Sequence, residues 1–305
     1  MVKKEKAVSG QKVKETVGDY IFSCFNYVFV TLIALIMLYP LVNVLAISFS
    51  DYYEYLKTPW MIIPKGFTWS GYDYIMNYTG FWRSYGNTII VVIAGTVLGL
   101  VITILMAYPL SRPQLKGKPF FMGMIIFTMV FNAGMIPGYI NMKELGLLDT
   151  RWAMIMPYAF TAFNCILMLN FFKEIPSELI EAAELEGASE PFILTKIILP
   201  LSKAVLASIT LFLAVGYWNN YFAAQIYIQD RDLWPLALTL KELLLESSTA
   251  MAEASMDASL MEDIDVKTVT IQYASIILST LPIICVYPFL QKYFAKGVLV
   301  GGVKG

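Results

Sequence analysis

The chain has 305 residues, of which 58% are hydrophobic and only 15% charged, and its mean hydropathy is +0.63. That balance is too apolar for a soluble domain of ordinary usage and predicts a polytopic membrane protein, which the helix-length apolar stretches below make all-α. A net charge of −1 offers nothing global to nucleic acid, and the absence of histidine excludes His-based nucleophiles, proton relays and metal sites together.

In chain order, a short segment 1–20 carrying five lysines precedes the first of six uninterrupted apolar stretches, at about 21–48, 88–110, 119–140, 152–172, 204–226 and 269–290. Each is long enough to cross roughly 30 Å of hydrocarbon as a helix. None contains Asp, Glu, Lys or Arg. The first is too long for a cleaved signal peptide and has no small-residue cleavage site before Asp51, so it is expected to be retained. Cys24, Cys165 and Cys285 all fall in apolar stretches without CxxC spacing and read as small core residues.

With the N-terminus inside, fourteen of the Lys and Arg residues fall on inner segments and eight on outer ones. The positive-inside rule then places both termini in the cytoplasm, together with the segment Glu181–Pro200. The outer segment from Gln229 to Lys267 is long and carries Glu246, Glu253, Asp257, Glu262, Asp263 and Asp265 with no base among them. It reads either as a solvated face or as a docking surface for an extracytoplasmic partner. Leu233-Trp234-Pro235-Leu236, just before it, are expected to pack back on the bundle.

Ion-driven carriers usually keep an ionisable group at depth, and none is present in these spans. No G-x-x-x-x-G-K-[ST] loop occurs either, so active transport would need an ATPase partner. The inner segment is where such a partner would push. Ser177 is placed to cap a helix with Glu178 in its first turn, and Gly187 can adopt the left-handed conformation that ends it. Ser189 and Pro191 open a second short helix that Pro200 closes. Leu179, Ala182 and Ala183 could fill a partner's groove, the competing reading being an ordinary amphipathic loop with solvated glutamates.

The spacing Glu181-Ala182-Ala183, Gly187, Ile197-x-Leu199-Pro200 resembles, without gap or substitution, the coupling-helix motif of permease subunits of binding-protein-dependent ABC importers. Pro64-Lys65-Gly66-Phe67-Thr68 before Tyr72, Asn87-Thr88, and the ending Gln291-Lys292-Tyr293-Phe294 through Gly301-Gly302-Val303-Lys304-Gly305 are similar to the carbohydrate-uptake branch, near the smaller permease of the maltose importer. The likeness runs from about residue 20 to the C-terminus. It implies a type I importer fold of six transmembrane helices over 21–294, with coupling helices at about 177–199 and an extracytoplasmic loop at about 229–267. It further implies a second homologous permease, two ATPase subunits that bind ATP and Mg, and a binding protein that delivers an oligosaccharide across a bacterial plasma membrane. This chain itself would be neither an enzyme nor a cofactor carrier. In the tail 295–305, Lys304 would approach the ATPase subunits, the alternative being a solvated chain end.

For the solute path, Trp218-Asn219-Asn220-Tyr221 lies about 22 Å from the inner face at 1.5 Å per residue. It combines the flat apolar faces that sugar C–H surfaces need with amides for their hydroxyls. The same tetrapeptide also fits an aromatic belt with interhelical amide bonds. Asn132, Asn164 and Gln272 are further pore candidates, each weighed against helix packing. A permease for another solute such as glycerol phosphate remains the alternative within the class, and a stand-alone carrier or polytopic membrane enzyme the alternative outside it.

Overall fold

A computed structural model describes residues 17–245 and 267–301, and no strand occurs among them. The chain divides at Thr68/Trp69 into two compact units. The first contains α1 (Val17–Ser48), a 32-residue apolar helix with Pro40 inside it, and the short α2 (Tyr52–Lys57). Residues 49–68 fold back along the end of α1. The Asn43 amide donates to the carbonyls of Pro59 (3.0 Å) and Met61 (2.8 Å), Phe49 stacks on Phe67, and Asp51 caps α2 through the amide of Tyr53. Gly66 sits at φ +61°, and a Cβ there would lie 2.9 Å from that of Asp51, which accounts for the glycine of the Pro-Lys-Gly turn.

The second unit is built around α4 (Thr79–Ser111). In order come α3 (Ser70–Asn77), α4, α5 (Lys118–Val130), α6 (Met135–Glu144), α7 (Arg151–Ile155), α8 (Ala162–Lys173) and α9 (Ser177–Leu185). They are followed by α10 (Glu190–Phe192), a π-helical turn (Ile193–Ile198), α11 (Leu199–Leu201), α12 (Lys203–Trp218), α13 (Tyr221–Tyr227), α14 (236–245) and α15 (Lys267–Gly301). Among the described residues, three helices can cross a membrane alone: Val17–Ser48, Thr79–Ser111 and Val269–Val286 within α15. Three more crossings arise only if bent pairs each count as one span: α5 with α6 at 116°, Arg151–Tyr158 with α8 at 50°, and Glu190–Leu201 with α12 at 84°.

The apolar stretches expected to be continuous are therefore interrupted, and the causes are local. Gly134 at φ +88° breaks the stretch 119–140, with the Asn132 side-chain Oδ1 accepting from its amide. Pro157 precedes the break in 152–172, and the stretch 204–226 is cut at Asn219–Asn220.

Small residues let α4 approach its neighbours closely. A Cβ on Gly95 would come within 2.5 to 2.8 Å of the Tyr217 ring of α12, whose hydroxyl donates to the carbonyl of Ile155 at 3.0 Å. On the other side, Gly71 of α3 lies against the backbone of Thr270 in α15. The buried side chains Met168, Leu169, Ile193, Ile198, Val205 and Ile209 complete the core between α8, the π turn and α12. Of the three cysteines only Cys165 is buried; Cys24 and Cys285 are exposed on their helices, contrary to the expectation that all three are core residues.

At the far end of α4 from Arg112, the segment after α13 is latched down. The Asn87 amide donates to the carbonyls of Asp232 (2.7 Å) and Trp234 (3.2 Å), and its oxygen accepts from Arg151 (2.9 Å). Thr88 accepts from the Leu236 amide (2.7 Å), Ser84 bonds Thr239, and Arg83 pairs with Asp232. Leu236 is fully buried, so residues 233–236 do pack back on the bundle. The six acids from Glu246 to Asp265 lie outside the described residues, as does Lys304.

Candidate coupling site

The motif segment is a helical hairpin with clear inner and outer faces. Pro176, with ψ 128°, occupies the cap position of α9, so Ser177 is the first helical residue and forms no cap bond, contrary to the expected capping role. At the other end Gly187 adopts φ +81°. Its amide donates to Glu184 O (3.0 Å) and that of Ala188 to Ala183 O (2.9 Å), the paired bonds of a Schellman ending. Along α9, Ile180 and Ala183 turn inward, each 9% exposed, while Leu179, Glu181, Ala182 and Leu185 face out. Ala183 is therefore spent on packing within this chain and is not free for a partner's groove.

Beyond α10 the chain passes through the π turn, with Ile193 and Ile198 buried and Ile197 and Leu199 half-buried against the core. Pro200 is exposed and has no N–H to offer the Lys196 carbonyl, and the helical register loosens ahead of it. The helix runs one residue past Pro200 and turns at Ser202 into α12.

The hairpin is held by a group that sequence reasoning counted only as one more inner basic residue. Arg112 caps the C-terminus of α4, with its side chain 10% exposed. It pairs with Glu184 and, at 3.2 Å, with Glu190, whose carboxylate also accepts from the Tyr108 hydroxyl. Burial works against the charge on Arg112, but the Glu184 bond and the Glu190 charge outweigh it and hold the guanidinium pKa above its ordinary value. Stability from that shift is complete below the unfolded-state pKa and is lost only as pH rises through the raised one, so the clamp on the Arg112 side does not titrate at physiological pH. Because Glu184 and Glu190 occupy unspecified positions between motif residues, the motif alone points past them.

The tetrapeptide Trp218–Tyr221 is not one continuous lining. Trp218 stacks edge-on against Tyr85 (5.8 Å), and the Asn219 amide bonds back to Val215 O (3.0 Å) in its own helix. Asn220 caps α13 through the Ala223 amide (3.1 Å), and Tyr221 lies under the Lys241 ammonium (4.6 Å). Only Asn220 reaches a cavity shared with Asn164, of about 470 Å³. Asn132 sits exposed at the α5–α6 break, and Gln272 is half-buried on α15.

Comparison with known proteins agrees with this architecture. A family model described as the inner membrane component of binding-protein-dependent transport systems matches residues 99–300. Protein LplC of Bacillus subtilis (strain 168) is 41% identical over 95% of this chain and 97% of its own. The polygalacturonan/rhamnogalacturonan transport system permease protein YtcP of the same organism is 40% identical over 93% and 99%. A chain in the crystal structure of a bacterial ABC transporter involved in the import of the acidic polysaccharide alginate superposes with a TM-score of 0.81 and 35% identity, over 93% of this chain and all of that one. The chain thus belongs to the family of inner membrane components of binding-protein-dependent transport systems: it is a membrane-embedded permease of an ABC importer, a transporter and not an enzyme, working with an ATPase and a solute-binding protein.

Proposed function

We propose that this permease forms half of a translocation pathway for a carbohydrate, in the range of an oligosaccharide, with a second homologous permease forming the other half. Two ATPase subunits, binding ATP and Mg, seat the hairpin, and both termini lie in the cytoplasm. In this reading Glu181 and Ala182 meet the ATPase, Gly187 sets the turn, and Ala183, Ile197, Leu199 and Pro200 fix the hairpin's pose. Lys304 in the tail makes a second contact with the ATPase. The saccharide class is supported by the solutes for which YtcP and the alginate transporter are named.

The observation that carries the coupling role is the outward face of α9. Leu185 is 90% exposed and Leu179 47% exposed, on a helix pinned from behind by Arg112. An apolar stripe held rigid on an inner hairpin matches the way a short helix is gripped by a partner's groove.

The test is transport by the purified complex in proteoliposomes. Saccharide-loaded binding protein should stimulate ATP hydrolysis and uptake, and a cysteine at Ala182 should crosslink to the ATPase subunit. Single cysteines at Gly10 and Val300 should label only from inside, and one at Ser255 only from outside. Outside labelling at Val300, or a complex that ignores every loaded saccharide, would refute the corresponding part.

A further inference from the structure

We infer that the loop 59–63 is a membrane anchor, which seats Trp60, Ile62 and Ile63 in the headgroup–acyl boundary of the leaflet at the C-terminal end of α1. The partner is a lipid surface, on whichever side of the membrane that leaflet faces.

The depth follows from α1. Its 32 residues extend about 48 Å, whereas the hydrocarbon core takes up about 30 Å. Asp19 lies just ahead of the apolar run, and Tyr20 and Tyr39 are about 28 Å apart along the helix, the separation of the two aromatic belts of a bilayer. The helix therefore leaves the hydrocarbon near Tyr39 and continues about 13 Å further, to Ser48. The loop comes back down. The Tyr39 hydroxyl donates to the Trp60 carbonyl (3.3 Å), and the Asn43 amide holds those of Pro59 and Met61, so the loop is pinned at the level of Tyr39 and Asn43. Its stem is stapled by the Lys65 amide on the buried Ser50 hydroxyl (3.0 Å) and by backbone bonds from Asp51 to Lys65 O and from Thr68 to Phe49 O.

The chemistry of the loop fits lipid. Met61 turns inward at 3% exposure, while Trp60, Ile62 and Ile63 point away at 76%, 59% and 75%. Pro59 and Pro64 bring no N–H to the segment, and the carbonyls of residues 59–61 are all satisfied by α1, which is what a backbone beside hydrocarbon needs. Lys57, paired with Glu54, and Lys65 flank the apolar run, and residues 55–68 contain no acid, so the rim complements anionic headgroups. A soluble protein would have to reach about 7–13 Å back from the end of α1 to meet this face. Among the described residues nothing buries the apolar window of α1, and interfacial anchors of this kind are what fix the height and tilt of such a helix.

The test uses the assembled complex in vesicles of phosphatidylethanolamine and phosphatidylglycerol, with Ile63, or Lys57 as the control, replaced by photoreactive benzoylphenylalanine. Illumination should join phospholipid to position 63 at least about fivefold more than to position 57. In a complex with its native cysteines replaced, a nitroxide on Ile63→Cys should be relaxed by oxygen in preference to a water-soluble nickel chelate. Adding Asn43→Ala should reverse that preference by letting the loop rise; Tyr39→Phe, which removes one of the three bonds, should shift it less in the same direction and serves if Asn43→Ala does not assemble. Adducts to the solute-binding protein or to the second permease in place of lipid, a nitroxide that prefers the nickel chelate, or a depth indifferent to loss of the pinning bonds would overturn the anchor.

Discussion

Removing the acids of the Arg112 clamp should do more damage than removing the arginine. Arg112 is 10% exposed, whereas Glu184 and Glu190 are 38% and 58% exposed. In Arg112→Met the two carboxylates can rehydrate, and the cost is an exposed-type pair plus some stem packing, about 1 kcal/mol. In Glu184→Gln/Glu190→Gln a guanidinium stays buried without a counter-charge. Its Nε is already without a partner. Breaking a fully buried pair from one side costs about 3–5 kcal/mol, and the wet acids here place the loss nearer about 2 kcal/mol. The assay is the thermal stability of the detergent-purified complex, together with ATP hydrolysed per solute imported. We expect both to worsen in the order wild type, Arg112→Met, double acid variant, with hydrolysis outlasting transport. Equal stability and equal coupling in all three proteins would refute the clamp. Lower stability with intact coupling would reduce it to scaffolding.

At Gly187 the added Cβ meets nothing within 4 Å, so the φ of +81° is the whole penalty inside this chain, about 1 kcal/mol for Ala or Leu and much less for Asn. Gly187→Leu should therefore insert normally but import poorly, while Gly187→Asn retains uptake; failure of both would point to lost contact with the ATPase and away from turn geometry. Gly95→Ala should destabilise by about 1–3 kcal/mol because the Tyr217 ring it strikes is buried and anchored to Ile155 O. Gly86→Ala on the same helix meets nothing and should be neutral or better in the same melting assay. Asn87→Leu strands the carbonyls of Asp232 and Trp234 and the Arg151 head in a site 3% exposed; we expect a loss of about 2 kcal/mol and faster proteolysis of residues 229–245.

What could be read from the chain beforehand followed from how local each feature is. Gly187 needs only its own φ, so the turn was legible; the inward turn of Ala183 was not, because the motif groups it with Ala182 although its three-residue spacing from Ile180 puts it on the buried face. Arg112 was not, since its partners lie 72 and 78 residues away and nothing nearby distinguishes it from any other inner base. Contiguity misled in the tetrapeptide: successive side chains on a helix diverge by about 100°, and the helix ends inside the motif, so four neighbours point at four different surroundings.

The helix breaks were hidden for a different reason. A membrane span is recognised by averaging hydropathy over about 20 residues, and Gly134, Pro157 and Asn219-Asn220 vanish into that average while each interrupts the backbone ladder. Hydrocarbon tolerates such interruptions only beside protein, water or bound solute. The property that lets these stretches be identified as spans is thus the one that conceals where a span stops being regular. Asn164 lies just after the break between Tyr158 and Ala162 and Asn220 at the one between α12 and α13, and the two line one cavity.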